Sequence, residues 1–91
     1  MLFMNRLMSQ KELEEKYHEG RSTIALAMIR AGVQPAAISE TGYNVKLYIE
    51  EDAVMALTIL YAQRRDNHRQ KAEEWARQIG RIERIFKEGK P

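Results

Sequence analysis

The stretch "KYHEGRSTIALAMIRAGV", from Lys16 to Val33, constrains the fold more than any other part of the chain. It places a short polar break, His18-Glu19-Gly20, between two segments that both read as helix. Upstream, Ser9-Gln10-Lys11-Glu12 fits the S-x-x-E capping box, which predicts a helix from about Gln10 to Tyr17. Leu13 and Tyr17 lie four apart and share one face. Downstream, Ile24, Ala27, Met28 and Ala31 follow the i, i+3, i+4, i+7 pattern, which predicts a second helix over about Arg21–Ala31. Gly32 is expected to cap it, with Pro35 just beyond. Gly20 is expected to supply a positive φ in the break. Two helices joined by about three residues must pack at an angle, as in a helix-turn-helix.

At 91 residues the chain is expected to be one domain with one modest core. Cysteine is absent. That excludes disulfides, thiolate zinc sites and thiol catalysis, and a cytoplasmic location is expected. No apolar run approaches the ~20 residues that span a bilayer, so no membrane partner is expected. The opening "MLFMNRLM" is apolar but short. It lacks a basic lead-in and a small-residue cleavage site, so residues 1–7 read as a flexible lead.

After Gly32 the period changes. Val45, Leu47 and Ile49 alternate with Asn44, Lys46 and Tyr48. Glu40-Thr41-Gly42 reads as a turn between short strands at about Ala37–Ser39 and Tyr43–Tyr48. A lone hairpin is marginal in water and must pack on the helices. "EEDAVMALTILYAQ" then opens a third helix, with Glu50, Glu51 and Asp52 in the first turn, where carboxylates suit the helix dipole. Val54, Leu57, Leu60 and Tyr61 supply its apolar residues.

Residues 63–71 are all polar. Beyond them Ala72, Trp75, Ile79, Ile82 and Phe86 form a two-heptad seam. Either the third helix runs on unbroken to about Glu88, roughly 57 Å, or it breaks and Asn67 with Gln70 caps a fourth helix. Trp75, Ile79, Ile82 and Phe86 are expected to make a homodimer. The other reading is that the seam folds back on its own domain. The predicted fold is therefore mainly α with a small β-hairpin. It is a winged helix-turn-helix over residues 8–62, followed by a long C-terminal helix or helical pair over 63–91.

Charge is uneven. Residues 1–48 carry six basic and five acidic side chains, 49–62 three acids and no base, and 63–91 nine bases and five acids. The basic excess at the C-terminal end is either a phosphate footprint or a solvated helix of mixed charge. Arg64, Arg65, Arg69 and Lys71 concentrate it. They are expected to meet phosphate or to set register with Glu73 and Glu74 of a partner helix.

The order helix, short turn, helix, two-stranded wing and a helix opening "YIEEDAVMAL" resembles the MerR and excisionase-like winged helices. It is most similar to the DNA-binding domain of phage terminase small subunits. Lys11, Leu13 and Tyr17, then Arg21-Ser22-Thr23-Ile24, carry the likeness, as do Tyr48 and Glu50-Glu51-Asp52. The resemblance implies DNA binding by the second helix and wing, dimerisation through the C-terminal helix, and a role in packaging, excision or transcription. The chain departs from the pattern at His18-Glu19-Gly20, with an acid where an apolar residue is expected. It departs again at Glu14, in place of a small residue.

On this reading Arg21, Ser22 and Thr23 enter the major groove of double-stranded DNA at the start of the second helix. Arg30 reaches a phosphate. Lys46 on the wing reaches the backbone or minor groove, and Lys11 and Lys16 clamp the flanking strand. Leu26 and Ile29 offer only apolar contacts. The second reading is an adaptor or inhibitor that docks on a larger protein machine through Leu26, Ile29 and the Trp75–Phe86 stripe. No enzyme, cofactor or metal is expected. His18 and His68 are fifty residues apart, without metal-ligand spacing. There is no glycine-rich phosphate loop, and Ser9 and Ser22 read as helix-start residues.

Overall fold

A computed structural model of the chain describes residues 6–39, 44–67 and 71–89. Among them are three short strands and four helices: β1 (Leu7–Ser9), α1 (Gln10–Tyr17), α2 (Arg21–Ala31), β2 (Ala37–Ile38), β3 (Lys46–Ile49), α3 (Glu50–Asn67) and α4 (Ala72–Glu88). The architecture is mainly helical with a small antiparallel sheet in the order β1-β3-β2.

The capping box forms as its spacing predicts. Glu12 N–H donates to Ser9 Oγ at 3.2 Å, and Ser9 N–H donates to Glu12 Oε1 at 3.0 Å. The end of α1 differs from expectation. His18, not Gly20, takes the left-handed conformation, with φ of 53°. Gly20 has φ of −72° and sits as the N-cap of α2, with no side-chain cap. The chain therefore makes its sharp turn two residues early. Gly32, with φ of 70°, closes α2 as expected, and Val33 N–H returns to the Met28 carbonyl at 2.9 Å. Ile24, Ala27 and Met28 are buried, whereas Ala31 is exposed, because the chain leaves the core at that turn.

The sheet draws on the stretch read as a lead. Leu7, Met8 and Ser9 pair with Ile49, Tyr48 and Leu47, and Met8 is buried. β2 pairs Ala37 with Leu47 and Ile38 with Lys46. The hairpin continues by bonds from Ala36 N–H to the Leu47 carbonyl and from Ser39 N–H to the Val45 carbonyl. The expected turn at Glu40-Thr41-Gly42 lies outside the described residues, as does Tyr43. β3 begins at Lys46, and Val45 just before it is exposed.

α3 and α4 are separate helices. Asn67 ends α3 instead of capping α4, whose N-cap is Lys71 without a side-chain bond. Gln70 lies outside the described residues. α4 folds back along α3, and Ile82 is fully buried in the same core as Leu13, Tyr17, Ile24, Leu57 and Leu60. Residues 63–91 thus do not stand apart from 8–62. The apolar stripe of α4 finds its partner surface on its own chain. Trp75, Ile79 and Phe86 are half-buried against the core. Trp75 stacks on Tyr61, with ring centroids 5.8 Å apart, and the Arg64 guanidinium lies over both rings. A second chain is not needed to cover this stripe.

Two buried carboxylates tie the helices together. Glu50, read from sequence as an acid for the helix dipole, is only 5% exposed. Its Oε2 accepts from Lys16 Nζ at 2.6 Å and from the Tyr17 hydroxyl. Glu19, in the break, accepts from the Tyr61 hydroxyl and from Arg81 Nη2 at 2.6 Å. Arg81 Nη1 also donates to the Tyr17 carbonyl at 2.5 Å. The acid in the turn is accounted for by this arginine from α4, since a buried charge needs a paired, hydrogen-bonded partner. Burial, reinforced by the hydrogen bond to Glu50, pushes the Tyr17 phenol up. Burial and the bond to Glu19 push Tyr61 up to about 12.

Candidate nucleic-acid interface

The start of α2 is open. Gly20 brings no side chain to cap it, and Arg21 and Ser22 at its first turn are exposed. Such an end favours anions through its unpaired N–H groups and its dipole. Thr23, the third residue of the expected set, is half-buried. The Gln10 side-chain amide donates to the Arg21 carbonyl at 3.2 Å and fixes the start of α2 against the start of α1.

Lys11 and Lys46 come from different elements and line one shallow groove of about 460 Å³. Ser9, Gln10, Asn44, Val45 and Tyr48 complete its described lining. Asn44 adopts a left-handed conformation, with φ of 50°, at the entry to β3. The groove's described lining carries two cations and no carboxylate, although Glu14 and Glu15 stand one turn beyond Lys11 on α1. Arg21, Arg30, Lys11 and Lys46 form no ion pair among the described residues.

The expected residues do not all assemble. Lys11 and Lys46 meet at the groove, and Gln10 links that groove to Arg21. Arg30 sits nine residues along α2 from Arg21, roughly 14 Å by the helical rise. Lys16 lies outside this groove. Its ammonium turns inward to the buried carboxylate of Glu50, so its charge is already neutralised. Sequence reasoning missed Gln10, Asn44 and Tyr48. The tolerance of asparagine for left-handed backbone was the one signal for Asn44.

Of the second basic cluster, two members have described partners. Arg64 lies over Tyr61 and Trp75, Arg65 contacts Asp66 at 3.4 Å, and Arg69 lies outside the described residues. Among the described residues no cluster of His, Asp and Glu is suited to hold a metal ion. No described helix is long and apolar enough to cross a membrane. Comparison with protein-family models, with curated proteins and with solved structures finds no match to this chain.

Proposed function

We propose that this protein binds double-stranded DNA as a winged helix-turn-helix. α2 enters the major groove by its Arg21-Ser22-Thr23 end, and the β2–β3 hairpin lies on the backbone. The observation that carries the reading is the grouping of Lys11 and Lys46 in one groove beside the open start of α2. That grouping provides a backbone anchor next to a helix end able to reach base edges. Arg30 extends the phosphate contacts along α2. The role that follows is a small regulator, excisionase or packaging factor of phage or plasmid type, as the family resemblance implies.

The test is a fluorescence-anisotropy titration with mixed duplex DNA at two salt concentrations. Each phosphate contact contributes about −0.9 to the slope of log K against log salt. Three or four contacts therefore give a slope of about −3. Arg21→Ala is expected to weaken binding by about 1–3 kcal/mol. Absence of binding at low salt refutes the proposal.

One observation favours a second reading, docking on another protein. Ile29, in the last turn of α2, is 77% exposed. An Ile29→Asp variant separates the two. It abolishes capture of a protein partner under the second reading. Under the DNA reading it weakens DNA binding modestly, through one added negative charge.

A further inference from the structure

The helices differ in how fully their apolar surface is covered. α4 lays its apolar face on α3 and the core, with Ile82 fully buried. α3 is apolar on two opposite sides. Its inner side carries Ala53, Val54, Leu57, Leu60 and Tyr61, all buried. Its outer side carries Met55, 56% exposed, and Ile59, 42% exposed, one turn apart. Ala62 continues the row by another turn. Thr58, beside this row, donates its hydroxyl to the Met55 carbonyl at 2.9 Å, so its donor is already used within the helix. A helix apolar all round is one that is covered all round.

We propose that the outer row of α3 is covered by the same row of a second copy of this chain. The two helices run antiparallel about a two-fold axis between Met55 and Ile59. A two-fold interface is self-complementary, so each contact occurs twice. Met55 packs on Ile59 of the second copy, and Ile59 on its Met55.

Charge selects both the direction and the occupant. α3 opens on Glu50, Glu51 and Asp52 and closes on Arg64 and Arg65. Parallel pairing sets the acidic ends against each other. Antiparallel pairing brings Glu51 to within about 3 Å, along the axis, of Arg65 in the second copy. It also opposes the helix dipoles favourably. Asp52 comes level with Ala62 of the second copy rather than with a like charge, and Asp66 passes beyond the start of the facing helix. Among the described residues, Arg65 is held on its own chain by a long contact of 3.4 Å to exposed Asp66, which leaves its guanidinium open to a second carboxylate. A second copy meets both ends of the pattern by symmetry, which an unrelated helix does not. One helix pair covers less than the roughly 1,200 Å² of standard interfaces, so this dimer is weak.

The experiment is sedimentation equilibrium of the full chain without DNA, from micromolar to near-millimolar concentration. It stands or falls separately from the DNA reading. The native chain is expected to shift from monomer to dimer across that range. Ile59→Glu is expected to stay monomeric, with a thermal melt showing that the exposed site leaves the fold intact. Glu51→Arg and Arg65→Glu alone are each expected to weaken the dimer about fivefold, close to 1 kcal/mol. The two together are expected to restore it. A native monomer at the highest concentration, a dimer indifferent to Ile59→Glu, or a double swap that fails to restore association overturns the proposal.

Discussion

His18 holds a left-handed conformation that costs an L-residue about 1–2 kcal/mol. Glycine relieves that strain but loses about 0.5–1 kcal/mol more backbone entropy. His18→Gly is therefore expected to stabilise the protein by about 0.5 kcal/mol, a rise in melting temperature of roughly 2–4 °C. Scanning calorimetry reads this directly. The same turn shows where sequence reading fails. Gly20 is the residue with conformational freedom, yet it takes an ordinary φ of −72°. The position of the turn was set by Glu19, which must reach Tyr61 and Arg81 some forty and sixty residues away. Local propensity carries no information about such a partner. Where the determinants are local, the residues were legible. Ser9 and Glu12 cap α1, and Gly32 closes α2, each by bonds spanning only a few residues.

Among the elements, α4 was legible as a helix and its seam as apolar, but its partner surface was not. The 3,4 spacing of Trp75, Ile79, Ile82 and Phe86 is the same whether the seam meets another chain or its own. The choice is decided by the break after Asn67, which lets α4 fold back onto α3. Ile82→Ala is expected to cost about 2–5 kcal/mol in urea unfolding, because the side chain is fully buried. Arg81→Ala is expected to cost about 1–3 kcal/mol, since it leaves Glu19 short of its cation while Tyr61 still donates. The strand β1 was not legible. Three residues are too few to show alternation, and Leu7–Ser9 becomes a strand only because β3 offers it an edge. Of the candidate interface, Lys11 and Lys46 were named from sequence. Their meeting in one groove with Tyr48 and Asn44 depends on how the sheet packs beside α1.

For the whole molecule, the two tyrosine–carboxylate contacts define how stability responds to alkali. Both phenols are pushed above their ordinary value of 10.0, mainly by burial, and Tyr61 reaches about 12. A raised folded pKa means that the protonated phenol is favoured in the native state. For Tyr61 this stabilisation is fully present below pH 10 and disappears as pH rises through about 12, and for Tyr17, which is pushed higher, the loss continues beyond that. Melting temperature is expected to show no loss from these two groups up to pH 10 and then to fall steeply. Tyr61→Phe is expected to be less stable at neutral pH and to lose less between pH 10 and 12. Calorimetry across the alkaline range checks both.

The Glu19–Arg81 contact also orders events in time. The corner between α1 and α2 is complete within the first third of the chain, but the arginine that locks it lies near the other end. On a ribosome, the α1–α2 corner emerges long before the arginine that pairs with Glu19. The two-helix corner therefore lacks one of its contacts until α4 is in place. A nascent chain that ends before Arg81 lacks the cation that pairs with Glu19 in that corner.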